Sequence, residues 1–163
     1  MGTATVIKPM LDVQMHVAKM YLEDLSDADL LVRPVPGANH IAWQLGHLIE
    51  SERVLVDAAC PGSMPPLPQG FAERHSTEKA QSDNPADFLS KSEYLRLMDE
   101  QRSATLALLE RLSEADLEKP APEKYQMFAP NAGALIGGQA THWMMHAGQW
   151  AIVRRKLGKP PMF

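Results

Sequence analysis

Residues 22–30 read LEDLSDADL, and residues 109–117 read LERLSEADL. Seven of the nine positions are identical. Each copy closes a long stretch of apolar residues at helical spacing, and each is followed by a proline-containing segment and a second such stretch. Ser26 and Ser113 suit the N-cap of a short turn, so the repeat could be a reused helix stop. Order and context recur as well as letters, which favours an internal duplication of a helix pair. Such a duplication implies an all-α fold, a four-helix bundle with a pseudo-twofold axis.

Working outward from the two copies, the first helix is expected over about 4–24, with Met10, Val13, Val17, Met20 and Tyr21 on one face. The second is expected from an Asn39 cap to about residue 59, carrying Ile41, Leu45, Leu48, Ile49, Leu55 and Val56. Pro61, Gly62, Pro65, Pro66, Pro68 and Gly70 then interrupt any helix, so 60–84 reads as a long crossover. A third helix is expected from Asn84-Pro85 to about 111, with Leu95, Met98, Leu109 and Leu112. A fourth is expected over 131–157, stopped by Gly158 and Pro160. The crossover permits neighbours other than a simple up-down-up-down order. The 163 residues make one domain, 1–163, with enough chain for its own core.

Charge narrows the function classes. The net charge is −4 and the basic residues are scattered, apart from Arg154-Arg155-Lys156 at a helix end. That excludes the clustered basic face of a nucleic-acid binder. No apolar run reaches membrane-spanning length, and no basic-then-apolar leader opens the chain. The lone Cys60 cannot form an intramolecular disulfide, and it lies at a helix exit before Pro61-Gly62. A cytoplasmic protein is expected.

The chemistry sits in the histidines. His142 and His146 are four residues apart on the fourth helix, hence on one face. Gly46-His47 lies at the apolar centre of the second helix. In a duplicated helix pair these two helices are equivalent and can face one another, so three neutral nitrogens could converge on one metal ion with coordination positions left open. Gly137, Gly138, Ala140, Ala147 and Gly148 would let helices approach closely there. Ordinary partly buried histidines bonded to carbonyls satisfy the same spacing, and the residues alone leave both readings open.

Three segments resemble the DinB superfamily: Asn39-His-Ile-Ala-Trp-Gln-Leu-Gly-His47, His142-Trp-Met-Met-His146-Ala-Gly-Gln149, and Arg154-Arg-Lys-Leu-Gly158 with the prolines that follow. The resemblance covers nearly the whole chain. It implies an up-down-down-up bundle and a divalent metal held by one histidine of the second helix and the HxxxH pair of the fourth, here His47, His142 and His146.

Other residues carry weaker signals. Gln149 shares the face of His146 and could hold a ligand or a metal-bound water. Gln44 and Glu50 flank His47 at three residues either side, and either could orient its ring; Glu50 could also accept a proton. Arg102 interrupts the apolar series of the third helix and could bind an anionic substrate, or reach solvent. His16 borders an apolar face; His40 and His75 have no assigned role. Trp43, Trp143 and Trp150 suit a core or a dimer interface.

A metal on three imidazoles would lower the pKa of a bound water or thiol. Hydrolysis and thiol transfer both follow. Family members that use low-molecular-weight thiols as transferases and isomerases tilt the expectation toward metal-dependent thiol transfer. The competing class is a metal-stabilised binding or stress-response module without turnover. Imidazole ligands suit zinc or nickel first, with iron, manganese or copper also accommodated. The expected partners are a small molecule such as a thiol and a second copy of the chain in a homodimer.

Overall fold

The computed structural model describes residues 2–162. Among them no strand forms, beyond an isolated bridge between Pro120 and Asn131. The helices are α1 (Thr3–Leu22), α2 (Ile41–Ala59), the short α3 (Phe71–Arg74), α4 (Lys91–Leu109), the short α5 (Glu114–Leu117) and α6 (Ala132–Lys156). The four long helices fall where the apolar spacing predicts them.

Three details differ from the sequence reading, each for a local reason. Pro85 opens only a 3-10 turn, Pro85–Asp87, in which Asn84 Oδ1 accepts from Ala86 N. The helix proper waits for Ser90, whose hydroxyl and backbone N–H close a reciprocal box with Glu93. In α2 the cap is His40 rather than Asn39: His40 Nδ1 accepts from Trp43 N. In α1 the stripe of Met10, Val13, Val17 and Met20 is not the core face. Met10 is 45% exposed and Val13 62%. The buried stripe is Ile7, Leu11, Gln14, Met15, Ala18 and Leu22. The helix carries two apolar stripes, and the buried one contains a glutamine that disguises it.

The two nine-residue copies fold alike. Ser26 boxes with Asp29 as Ser113 does with Asp116. Leu22, Leu30, Leu109 and Leu117, at equivalent positions, are all buried. The acid that follows the serine in each copy crosses to the other half. Asp27 Oδ1 accepts from Lys91 N, the first residue of α4. Glu114 carboxylate oxygens accept from Thr3 N and Thr3 Oγ1, the first residue of α1. Each copy therefore caps the first helix of the opposite half, where a free N–H would otherwise be unsatisfied.

Packing follows from these anchors. Gly137 faces Ile7, so close that an added Cβ would lie 3.3 Å from Ile7 Cγ1, and further along Arg154 donates to Tyr21 O. Lys19 of α1 pairs with Asp99 of α4, and Lys8 with Glu110, the residue that caps the end of α4. The largest core cluster holds Trp143, Trp150, Tyr94, Leu45 and Ile49; a second holds Leu11, Val56, Leu108 and Ile136, and a small third holds Ala121, Ala129 and Leu135. Trp143 and Trp150 are fully buried. Each removes roughly 200 Å² from water, worth on the order of 5 kcal/mol. Trp43 is buried too, with its Nε1 donating to Ser76 O.

The crossover is a packed strap. Phe71 and His75 are buried. The imidazole of His75 bonds Phe71 O through Nδ1 and the Tyr94 hydroxyl through Nε2, at 2.8 and 2.7 Å. It lies flat enough on α2 that a Cβ at Gly46 would come within 1.9 Å of His75 Cδ2. Gly46 is therefore the place where the strap meets the helix. Gly138 and Gly148, expected to admit a neighbouring helix, face open space instead.

Candidate metal centre

His47 lies near the middle of α2, and His142 and His146 lie one turn apart on α6. The facing helices bring one ligand atom from each within 4.8 Å of the others. His47 Nε2 and His142 Nε2 are 3.2 Å apart. Nitrogens bound about 2.0–2.1 Å from a common ion are separated by roughly that distance. The ring of His47 stacks on Trp43, with centroids 5.1 Å apart and planes 5° from parallel, which fixes its direction.

The other two rings are oriented by α2. Gln44 Oε1 accepts from Trp150 Nε1 at 2.8 Å and lies 3.1 Å from His146 Nδ1. Gln44 Nε2 donates to Asn39 O and to Gln149 Oε1. That pair of donations sets which end of the amide is oxygen. An amide oxygen only accepts, so His146 Nδ1 carries the proton and Nε2 presents its lone pair. Ser51 Oγ lies 3.4 Å from His142 Nδ1 and steadies that ring without fixing its tautomer, since a hydroxyl can donate or accept. Gln44 thus orients His146 rather than His47. Gln149 serves Gln44.

Electrostatics keep the imidazoles neutral. Burial, and then the neighbouring histidines, push His142 and His146 down to about 4. Burial lowers His47 as well. No carboxylate is among the charges that bear on these three groups. The result is three uncharged nitrogen donors near neutral pH, a set suited to a divalent transition metal. His47, His142 and His146 could hold such an ion.

Two further candidates lie elsewhere. Glu50 is partly buried, its carboxyl pushed up by burial and then by the charge of Glu73. No described hydrogen bond joins it to the histidines. Arg102 is 3% exposed, buried in the core. Its Nε and one terminal nitrogen donate to Glu52 at 2.8 and 2.9 Å, and the other terminal nitrogen donates to Leu11 O. Glu52 also accepts from Thr105 Oγ1 and from Trp143 Nε1. This core network supports the segment between the two α6 histidines. Glu52 was open to sequence reasoning, since it falls on the apolar stripe of α2 between Ile49 and Val56. His16 is exposed. His40 is buried, with its Nε2 bonded to Ser82 O.

The family model described as the DinB superfamily matches residues 10–150. The chain belongs to the DinB superfamily. A solved structure from Enterococcus faecalis, described as the conserved protein of locus, superposes with a TM-score of 0.74. It shares 17% identity, and the match covers 98% of this chain and 99% of that one. That likeness speaks for the fold. A search of curated proteins found no match. No helix among the described residues is long and apolar enough to cross a membrane.

Proposed function

We propose that this DinB-superfamily chain holds a divalent metal ion on His47, His142 and His146 and uses it to transfer a low-molecular-weight thiol to an electrophile. The observation that carries this reading is the convergence of three neutral nitrogens from two helices, with no protein carboxylate closing the set. A bound divalent ion would lower the pKa of a thiol placed on its open side. The chain's own residues do the rest. Trp43 holds the His47 ring, Gln44 fixes the tautomer of His146, and the Glu52–Arg102 network supports the helix turn at Trp143. Zinc or nickel suits the donor set best, ahead of iron or manganese. An up-down-down-up order belongs to this reading, and it is supported by α1 running alongside α6 in the same direction, with Ile7 at Gly137 and Tyr21 at Arg154.

Hydrolysis is the alternative, since the same ion would lower the pKa of a bound water as it does that of a thiol. No further proton acceptor beside that water is described: Glu52 is fully engaged in the core, and Glu50 has no described bond toward the histidines.

Elemental analysis of the purified protein beside a His142→Ala variant tests the metal site. About one equivalent in the wild type and a loss of most of it in the variant is expected; equal content in both would refute the assignment. Incubation of metal-loaded protein with a panel of thiols and a chromogenic electrophile tests the transfer. Turnover that disappears on chelation supports it. Metal retention without turnover on any thiol would instead mark a binding module.

A further inference from the structure

From Ala132 to Val153, α6 contains no Asp, Glu, Lys or Arg. A helix without a charged side is normally covered all round, yet one side of α6 is open. Thr141, Met144, Met145, Gly148 and Ile152 are exposed along it. At 100° per residue they share a side distinct from that of His142 and His146. Beside them α1 presents Val6, Met10 and Val13, the outer apolar stripe, which are 47%, 45% and 62% exposed. Residues of the two helices line one shallow groove of about 590 Å³. The charges of α1 lie on its other flank, where Lys8 and Lys19 pair with Glu110 and Asp99. A continuous exposed apolar face of this kind marks an interaction surface.

We propose that the α1–α6 face is covered by the same face of a second copy of the chain, related by a two-fold axis. Size supports that occupant. The 20 residues of α1 and 25 of α6 run roughly 30 and 37 Å at ~1.5 Å per residue. With axes about 8–10 Å apart, the pair presents a face of roughly 600 Å² in projection. A standard interface takes about 800 Å² of accessible surface from each partner, which a corrugated face of that extent supplies. Charge supports it too. A two-fold axis sets each patch against itself, so a charged patch would repel its copy while a neutral one does not. Between Ala132 and Val153 a partner of strong charge would find nothing to pair with; the exposed Arg155, one turn beyond Ile152, stands at the end of the face. The relief is also self-complementary. Met144 and Met145 stand as flexible knobs, and Thr141 and Gly148 leave hollows between them. An added Cβ at Gly148 would meet nothing within 4 Å. The histidines face α2, so this pairing leaves the metal centre free.

Analytical ultracentrifugation of the full chain at roughly 10 and 100 µM tests the proposal. Wild type is expected at twice the chain mass. A Val13→Glu/Met145→Glu variant and a separate Gly148→Arg variant are expected at the single-chain mass, with helical circular dichroism and metal content unchanged. Met127→Glu, at a 95% exposed methionine outside both helices, is expected to stay at twice the mass. Wild type at the single-chain mass at the higher concentration would overturn the proposal. So would a double mass in either folded face variant.

Discussion

At the scale of single residues, the site depends on groups that touch no metal. Gln44 accepts from Trp150 and is bonded to His146 through one oxygen. Gln44→Ala should therefore act twice. It leaves the buried Trp150 N–H unpaired, costing about 1–3 kcal/mol of stability, and it frees the His146 ring, weakening metal affinity roughly 10- to 100-fold. Urea unfolding of the metal-free protein and a competitive chelator titration separate the two effects; unchanged affinity would show that Gln44 does not set the ring. Gly46 shows how a residue can be placed in the sequence without being explained by it. The segment Gly46-His47 marks the site, but the glycine serves the crossover, because His75 occupies the volume of its missing side chain. Gly46→Ala should cost about 1–3 kcal/mol by overpacking. Most of that cost should vanish in a His75→Ala background, as the coupling in a double-mutant cycle. Nothing local in the chain could indicate this meeting, since 29 positions separate Gly46 from His75.

At the scale of elements, helix existence was legible and helix roles were less so. The spacing of His142 and His146 assigns them to one face of α6 without further information, and the structure places both on the side toward α2. The repeated nine residues were legible as a helix stop; their exchange of caps between halves was not. Asp27 and Glu114 look like ordinary acids of a first turn until the fold brings Lys91 and Thr3 to them. Glu114→Ala should fray the first turn of α1, at a cost of about 0.5–2 kcal/mol, seen as faster amide exchange at residues 3–6 with little change elsewhere. Arg102 stands out as a break in an apolar series, but a break alone does not distinguish a pocket cation from a core one. The distinguishing feature is Glu52, which breaks the α2 series in the same way. Two opposite charges on the core stripes of two helices imply each other. Glu52→Ala should destabilise the protein by about 3–5 kcal/mol because Arg102 keeps its buried charge. Glu52→Leu/Arg102→Met should recover most of that in thermal unfolding.

At the scale of the molecule, the histidines make the fold sensitive to acid in a direction that can be worked out. His75 is buried and pushed down to about 4, chiefly by burial, from an ordinary value of 6.5. His142 and His146 are shifted alike, and His40 and His47 in the same direction. Between about 4 and 6.5 the unfolded chain therefore binds protons that the folded chain refuses, and stability rises with pH across that window. It is fully present above 6.5 and falls as the pH drops toward 4. His75 alone carries roughly 3 kcal/mol of this slope, on the order of 1.4 kcal/mol per pH unit. Urea midpoints of the metal-free protein between pH 4.5 and 7.5 should show the decline, and His75→Phe should flatten it even where it lowers the midpoint at pH 7.5. An ion on the three ligand nitrogens adds a second effect of the same sign, because it binds only their unprotonated form. The metal-dependent rise in melting temperature should thus shrink as the pH falls and be missing at every pH in His142→Ala. If that variant gained as much from metal as the wild type, the ion would be stabilising some other part of the fold.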